Sequence, residues 1–262
     1  MSDIEHKEVT RFGKVWLIGA GPGAADLITV RGARLLAQAE VVLYDALVTD
    51  DMLALCSQAA LINVGKRCGL RSMAQPMINE QIIDAARHHQ RVVRLKGGDP
   101  MLFGRADEEL RALEALGIEV DVVPGITAAL AAAASSKQPL TQRGIARSVA
   151  FFTSSTAPDH PEQTTLPACD TLIQYMGGRE AMKTARGLMA NGHAPHTPVI
   201  VVENCSRVDE RILRLQLRDL EAGLAQCSGP VLMMIGAAMS PRHAATVAPS
   251  ATSVSTTMVT ST

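Results

Sequence analysis

Residues 15–45, VWLIGAGPGAADLITVRGARLLAQAEVVLYD, constrain the fold more than any other stretch of the chain. VWLI (15–18) is a short apolar run that ends at glycine, LITVRGARLLAQA (27–39) spaces its apolar residues helically, and EVVLYD (40–45) is apolar again. A strand, a helix and a second strand in that order pair in parallel through a right-handed crossover. ALINVG (60–65), RVVRL (91–95) and IEVDVVPG (118–125) read as further strands. INEQIIDAARHH (78–89), DEELRALEALG (107–117) and ITAALAAAASS (126–136) read as helices between and after them. The first half is therefore expected to form a doubly wound open sheet.

KQPLTQRGIAR (137–147) has Pro, Gly and three cationic side chains but no period, and reads as a linker. Beyond it, SVAFFTS (148–154), TLIQYMG (171–177), PVIVVEN (198–204) and GPVLMMIG (229–236) read as strands. Helices are expected at GREAMKTARGLMANG (178–192) and near 216–225. The organisation predicted is an N-terminal extension (1–14), an α/β domain (15–136), the linker (137–147), a second α/β domain (148–240) and a disordered tail (241–262) rich in Ala, Ser, Thr and Val.

Aromatic residues make up 3% of the chain against 47% hydrophobic residues, so the core must be built from aliphatic side chains and Met, as in buried parallel sheets. A net charge of −1 argues against nucleic-acid binding through an overall field. The five cysteines form no CxxC pair, which points to a reduced, cytoplasmic chain without structural zinc. MSDIEHKEVTRFGK lacks a signal-peptide core, and no apolar run reaches the roughly 20 residues of a membrane span. His193 and His196 in NGHAPH read as solvent-exposed, so no metal is expected.

Three predicted strands end in glycine loops: GAGPG (19–23), GKRCG (65–69) and KGGDP (96–100). One such loop only permits a tight turn, but three at one sheet edge mark the place where open α/β sheets bind ligands. A dinucleotide-binding turn needs glycines at relative positions one, three and six, with an acidic residue about 20 residues on. Asp45 satisfies the second requirement, whereas Gly19, Gly21 and Gly23 fail the first. Pro22 also removes a backbone N–H where a pyrophosphate needs donors. A ligand without phosphates fits better.

The stretches VWLIGAGPGAADLITVRGARLLAQAEVVLYDALV, VGKRCG, RVVRLKGGDPMLFGRADEEL, VVPGITAALAAAA and PLTQRGIARSV resemble, in order and spacing, the tetrapyrrole methylases, and within them the branch acting on uroporphyrinogen III. The likeness runs from Val15 to Gly236. It implies two α/β domains with S-adenosylmethionine in the cleft between them, a homodimer, and methylation of carbons 2 and 7 to give precorrin-2. Residues matching the family's cofactor contacts are Pro22, Gly97, Gly98, Asp99, Leu102, Thr127, Ala128, Met176 and Cys205. Asp45 matches a candidate general base, and Lys66 a proton donor or carboxylate anchor. Arg105 and Glu108 match an Arg and Glu that hold substrate, the Arg also being a candidate for proton removal.

A substrate with eight carboxylates calls for a cationic cleft, which Lys66, Arg67, Arg71, Lys96, Arg105, Arg143 and Arg147 could supply. The sequence departs from the family pattern at Cys205, where glycine is usual, at Thr153–Ser155 in place of TGH, at Arg71 in place of a His, and in GRADEE for GRGGEE. Three other readings stay open: methylation of a later precorrin, a nucleotide-dependent oxidoreductase, and a non-catalytic cofactor-binding homologue.

Overall fold

The computed structural model describes residues 12–65, 74–154 and 165–241. Lys66, Arg67, Arg71, Ser155 and the expected tail from Arg242 onward lie outside the described residues, as does the extension up to Arg11.

Five parallel strands, β1 (Lys14–Gly19), β2 (Val41–Tyr44), β3 (Ala60–Asn63), β4 (Arg91–Lys96) and β5 (Val120–Val123), form the first sheet in the order β3-β2-β4-β1-β5. Helices α1 (Val30–Leu36) and α2 (Asp50–Leu53) cover one face, where Leu36 and Met52 pack with Ile18, Val42, Val93 and Leu95. Helices α3 (Gln75–His88) and α4 (Ala106–Glu114) cover the other, where Ile82, Ala86 and Leu113 pack with Val15, Leu17, Leu43 and Val92. Successive side chains of a strand point to opposite faces, so Leu17 and Ile18 feed different cores and the strand must be apolar throughout. Thr29 caps α1, its Oγ1 accepting from Gly32 N at 3.1 Å, a contact contributing about 1 kcal/mol.

The strand order places β1 beside β4, although the chain leaves β1 toward β2 and leaves β4 toward β5. The two connections run in opposite directions on opposite faces of the sheet, and such a reversal between neighbouring parallel strands marks a crevice at their carboxyl ends. The loops 20–24 and 97–105 lie at that crevice.

The second sheet comprises β6 (Val149–Thr153), β7 (Thr171–Tyr175), β8 (Pro198–Glu203), β9 (Arg211–Gln216) and β10 (Val231–Ile235) in the order β6-β7-β10-β8-β9. Only β6 and β7 pair in parallel; the other three pairings are antiparallel. Helix α6 (Ala181–Ala190) covers one face through Ala181, Ala185 and Leu188. Helix α5 (Ala128–Ser135) covers the opposite face with Ala129, Ala131 and Ala132 against Ile173, Val202 and Met234.

The chain is thus an α/β protein built on two sheets, as the sequence indicates. Details differ. The sequence groups residues 126–136 with the first sheet, yet α5 packs on the second, because a nearly all-alanine helix has no apolar stripe to show which way it faces. β9 was not expected, since Arg211 and Arg214 interrupt its apolar residues. Residues Leu217–Ala222 form a 3₁₀ helix with a Gln216–Asp219 capping box in place of the expected α-helix. Leu140 and Ala146, in the segment read as a linker, are buried with α5. Among the described residues no helix is long and apolar enough to cross a membrane.

Candidate active site

Gly21 and Gly98 join the loops after β1 and β4 by an isolated antiparallel bridge. Both have positive φ, +77° and +70°, a backbone that glycine adopts without penalty. The loop after β5 closes on the same point. A Cβ on Gly125 would lie 2.1 Å from Gly98 O, and one on Gly19 would lie 2.6 Å from Gly125 Cα. Asp99 completes the junction: its Oδ1 accepts from Met101 N at 2.8 Å and its Oδ2 from Gly125 N at 2.9 Å.

A cavity of about 220 Å³ opens between this junction and the second sheet. The first sheet contributes Pro22, Leu47, Gly97, Gly98, Asp99, Leu102 and Phe103, and the entry to α5 contributes Thr127 and Ala128. Tyr175, Met176, Asn204, Cys205, Arg207, Pro230 and Leu232 form the opposite wall. All nine residues matched to cofactor contacts in the sequence lie in this lining.

Tyr175 was not singled out in the sequence. Its hydroxyl lies 2.5 Å from Thr127 Oγ1 and accepts from Ala129 N at 3.3 Å, and its ring is 5.0 Å from that of Phe103. Burial pushes the phenol above its ordinary pKa, so it serves as a neutral hydrogen-bonding group. Cys205 is 7% exposed, its Sγ donating to Ala128 O at 3.7 Å. Burial, with Glu210 nearby, raises the thiol to about 12, which makes it an inert wall residue and not a nucleophile. Phe103, Met176 and Asn204 line the cavity with φ between 52° and 56°. Non-glycine residues in this region cost energy and concentrate at sites where the fold over-determines the backbone.

Loops from the two sheets cross the cavity mouth. Arg207 Nη2 donates to Leu47 O at 2.8 Å and Ala24 N donates to Ser206 Oγ at 3.0 Å, while Thr49 Oγ1 donates to Gly23 O at 3.0 Å between two loops of the first sheet.

The charged residues expected from the sequence fall differently. Lys96 is not a cleft cation: it is 3% exposed and donates to Glu109 Oε2 at 2.8 Å. Burial, and then the neighbouring Arg94 charge, push its pKa below the ordinary lysine range. Glu109, fully buried, also accepts from Arg94 Nε at 3.0 Å and Gln75 Nε2 at 3.3 Å. Arg94 in turn donates to Asp45 Oδ1 at 2.6 Å. Two cations and two carboxylates thus form one row beneath the sheet edge, ending at Asp45, which is partly exposed. Asp45 does not itself line the cavity, but Leu47, two residues on, does.

Arg105 stands outside the lining at the N-cap of α4, exposed and paired with Glu108 at 2.7 and 2.9 Å. Arg143 is exposed on the turn closed by Gln142 and Ala146, and it too is outside the lining. Among the described residues no group of three His, Cys, Asp or Glu side chains could hold a metal ion.

Residues 14–221 match the family of Tetrapyrrole (Corrin/Porphyrin) Methylases. The chain belongs to the tetrapyrrole methylase family. It is 42% identical over 228 residues to a uroporphyrinogen-III C-methyltransferase of Pseudomonas aeruginosa, covering 86% of this chain and 93% of that one. It is 43% identical over 235 residues to siroheme synthase 2 of Yersinia pestis, covering 88% of this chain and 50% of that one. The chain therefore spans about half the length of the siroheme synthases it matches. Among solved structures, the uroporphyrin-III C-methyl transferase of Thermus thermophilus complexed with S-adenyl homocysteine superposes with a TM-score of 0.76 at 37% identity, over 86% of this chain and 93% of that one. A cobalt precorrin-4 methyltransferase superposes with the same TM-score at 31% identity, over 87% and 96% of the two chains.

Of the departures noted in the sequence of this tetrapyrrole methylase, Cys205 alone lines the cavity among the described residues. Cys205 fills its place with a buried side chain. Ser154 stands outside the lining, its Oγ accepting from Gln174 Nε2 at 3.0 Å.

Proposed function

We propose that this protein transfers methyl groups from S-adenosylmethionine to carbons 2 and 7 of uroporphyrinogen III, giving precorrin-2. The observation that carries the reading is the state of the first glycine loop. Ala20 N donates to Lys96 O, Gly21 N to Gly98 O and Ala24 N to Ser206 Oγ, while Pro22 has no N–H. Helix α1 begins only at Val30. Three of the four N–H groups of residues 20–24 are thus taken up, and only the short 3₁₀ turn Ala25–Leu27 follows directly, so a phosphate would meet few free donors there, which disfavours a dinucleotide cofactor. An adenosyl ligand without phosphates fits: a Cβ at Gly98 would meet only Thr127 Cα, at 4.0 Å, and apolar side chains dominate the walls.

When bound, S-adenosylmethionine supplies an electrophilic methyl group. Pro22, Gly97, Gly98, Leu102, Thr127, Ala128, Met176 and Cys205 hold it, and Asp99 fixes the loops that carry them. Leu102 and Phe103 exclude water, and orienting two reactants in a dry cleft supplies much of the rate. Asp45, held through Oδ1 by Arg94, takes the proton that leaves the macrocycle. Arg105, Arg143 and Lys66 receive substrate carboxylates, and Glu108 orients Arg105 for that role. The likeness to a cobalt precorrin-4 methyltransferase supports a second reading with a later precorrin as substrate, at lower identity.

Incubation of the purified protein with uroporphyrinogen III and S-adenosylmethionine should give a product heavier by two methyl groups. A substrate of unchanged mass overturns the assignment. Methylation of a later precorrin alone selects the second reading.

A further inference from the structure

Arg207 is the single cationic side chain in the cavity lining among the described residues; Asp99 is the only other charged one. Most of the other polar side chains are already engaged. Both Asp99 oxygens accept backbone N–H groups, Thr127 and Tyr175 bond each other, and Asn204 Nδ2 donates to Asp209 Oδ2 at 2.7 Å. Arg207 differs. Among the described residues its side chain makes one hydrogen bond, to Leu47 O at 2.8 Å, and no ion pair. A guanidinium carries five N–H donors in a planar fork, so most of them are left for a ligand.

The side chain is also placed and braced. Its Cγ lies so near Gly23 that a Cβ there would come within 2.9 Å, and the bond to Leu47 fixes its far end across the cavity mouth. Gly23 therefore makes room for the stem of Arg207, with φ +156°. A braced guanidinium at the rim of a mostly apolar cavity is suited to paired recognition of a carboxylate.

We infer that Arg207 binds a ligand carboxylate at the mouth of this cleft. The inference rests on the proposed function, which brings two sources of that group: the amino-acid end of the adenosyl ligand and the acidic side chains of the tetrapyrrole. It adds to the site a residue from the loop after β8, which holds the ligand by charge where the glycine loops hold it by backbone approach.

The test uses wild type, Arg207→Gln and Arg207→Lys with three ligands: S-adenosylhomocysteine, its analogue in which hydrogen replaces the carboxylate, and uroporphyrinogen III. If Arg207 binds the amino-acid carboxylate, Arg207→Gln weakens S-adenosylhomocysteine by about ten- to a hundred-fold. Binding of the decarboxylated analogue then stays unchanged, and Arg207→Lys recovers part of the loss. If it binds the tetrapyrrole, both adenosyl ligands bind as before and KM for uroporphyrinogen III rises by a similar factor. Equal weakening of both adenosyl ligands would show that Arg207 only braces Leu47, and no change in any of the three would show no role at all; either result overturns the inference while the proposed function stands. A wild-type protein that neither binds S-adenosylhomocysteine nor methylates overturns both.

Discussion

Gly21 and Gly98 exchange two backbone hydrogen bonds, Gly21 N to Gly98 O at 3.1 Å and Gly98 N to Gly21 O at 2.7 Å. The pair locks together the loops that follow two adjacent parallel strands, and it takes up N–H groups that a phosphate-binding turn would keep free. One local contact thus shapes the cavity floor and disfavours one class of ligand.

Gly125 tests how tightly that junction is built. Gly125→Ala places a Cβ 2.1 Å from Gly98 O, whereas Gly117→Ala meets nothing within 4 Å and carries only the cost of a φ of +66°. Thermal unfolding should show a loss of about 3 kcal/mol for Gly125→Ala and about 1–2 kcal/mol for Gly117→Ala. Only the first variant should also lose affinity for S-adenosylhomocysteine.

Glu109 balances Arg94 and Lys96 at the buried end of the row, with only Asp45 partly exposed. Glu109→Gln leaves two buried cations with the Asp45 carboxylate alone, and should lower stability by about 3–5 kcal/mol in urea unfolding. An unchanged midpoint would mean that water enters the buried end of the row.

The general outline of this site was legible in the sequence because close backbone approach demands glycine, and glycine is visible. GAGPG and KGGDP mark two loops that meet, and Pro22 marks a missing donor; the third expected loop, GKRCG, lies beyond Gly65 outside the described residues, and the Gly125 loop was marked only by the resemblance. What could not be read was which charges would be buried. Lys96 follows a strand and precedes a glycine loop, so it resembles a cleft cation; its partner Glu109 lies 13 residues away on a helix face that the sequence does not orient. Arg207 and Tyr175 escaped for a related reason: they come from the second sheet, whose mixed pairing and added strand β9 give no simple register to follow.

Asp45 should separate chemistry from binding. Asp45→Ala removes the proposed proton acceptor but no residue of the cavity lining, so kcat should fall by about 10²–10⁴-fold. The Kd for S-adenosylhomocysteine should stay within a few-fold of wild type. Equal losses in both would reassign Asp45 to holding Arg94 in place.

Glu203 gives the fold a pH dependence. Its Oε1 accepts from Gly229 N at 2.8 Å and Ser228 N at 2.6 Å, and its Oε2 from Arg211 Nη1 at 3.1 Å. The Gly229 N–H first, then Ser228 and Arg211, hold its carboxyl below the ordinary range against the opposing effect of burial. A carboxyl with a lowered folded pKa stabilises fully above its unfolded value of about 4.3 and loses that contribution as pH falls through the folded one. Glu203→Ala, which strands two N–H groups beside the cavity wall, should cost about 1–3 kcal/mol at pH 7. The gap between wild type and variant should narrow below about pH 4. A gap independent of pH would assign the loss to packing.

Calorimetric titration of the wild-type protein with S-adenosylhomocysteine and, separately, with NADPH tests the central claim most directly. The committed N–H groups around Gly21 and Gly98 require that S-adenosylhomocysteine bind saturably with one site per chain and that NADPH neither bind tightly nor displace it. Tight NADPH binding that competes with S-adenosylhomocysteine, or no binding of S-adenosylhomocysteine at all, would contradict the account.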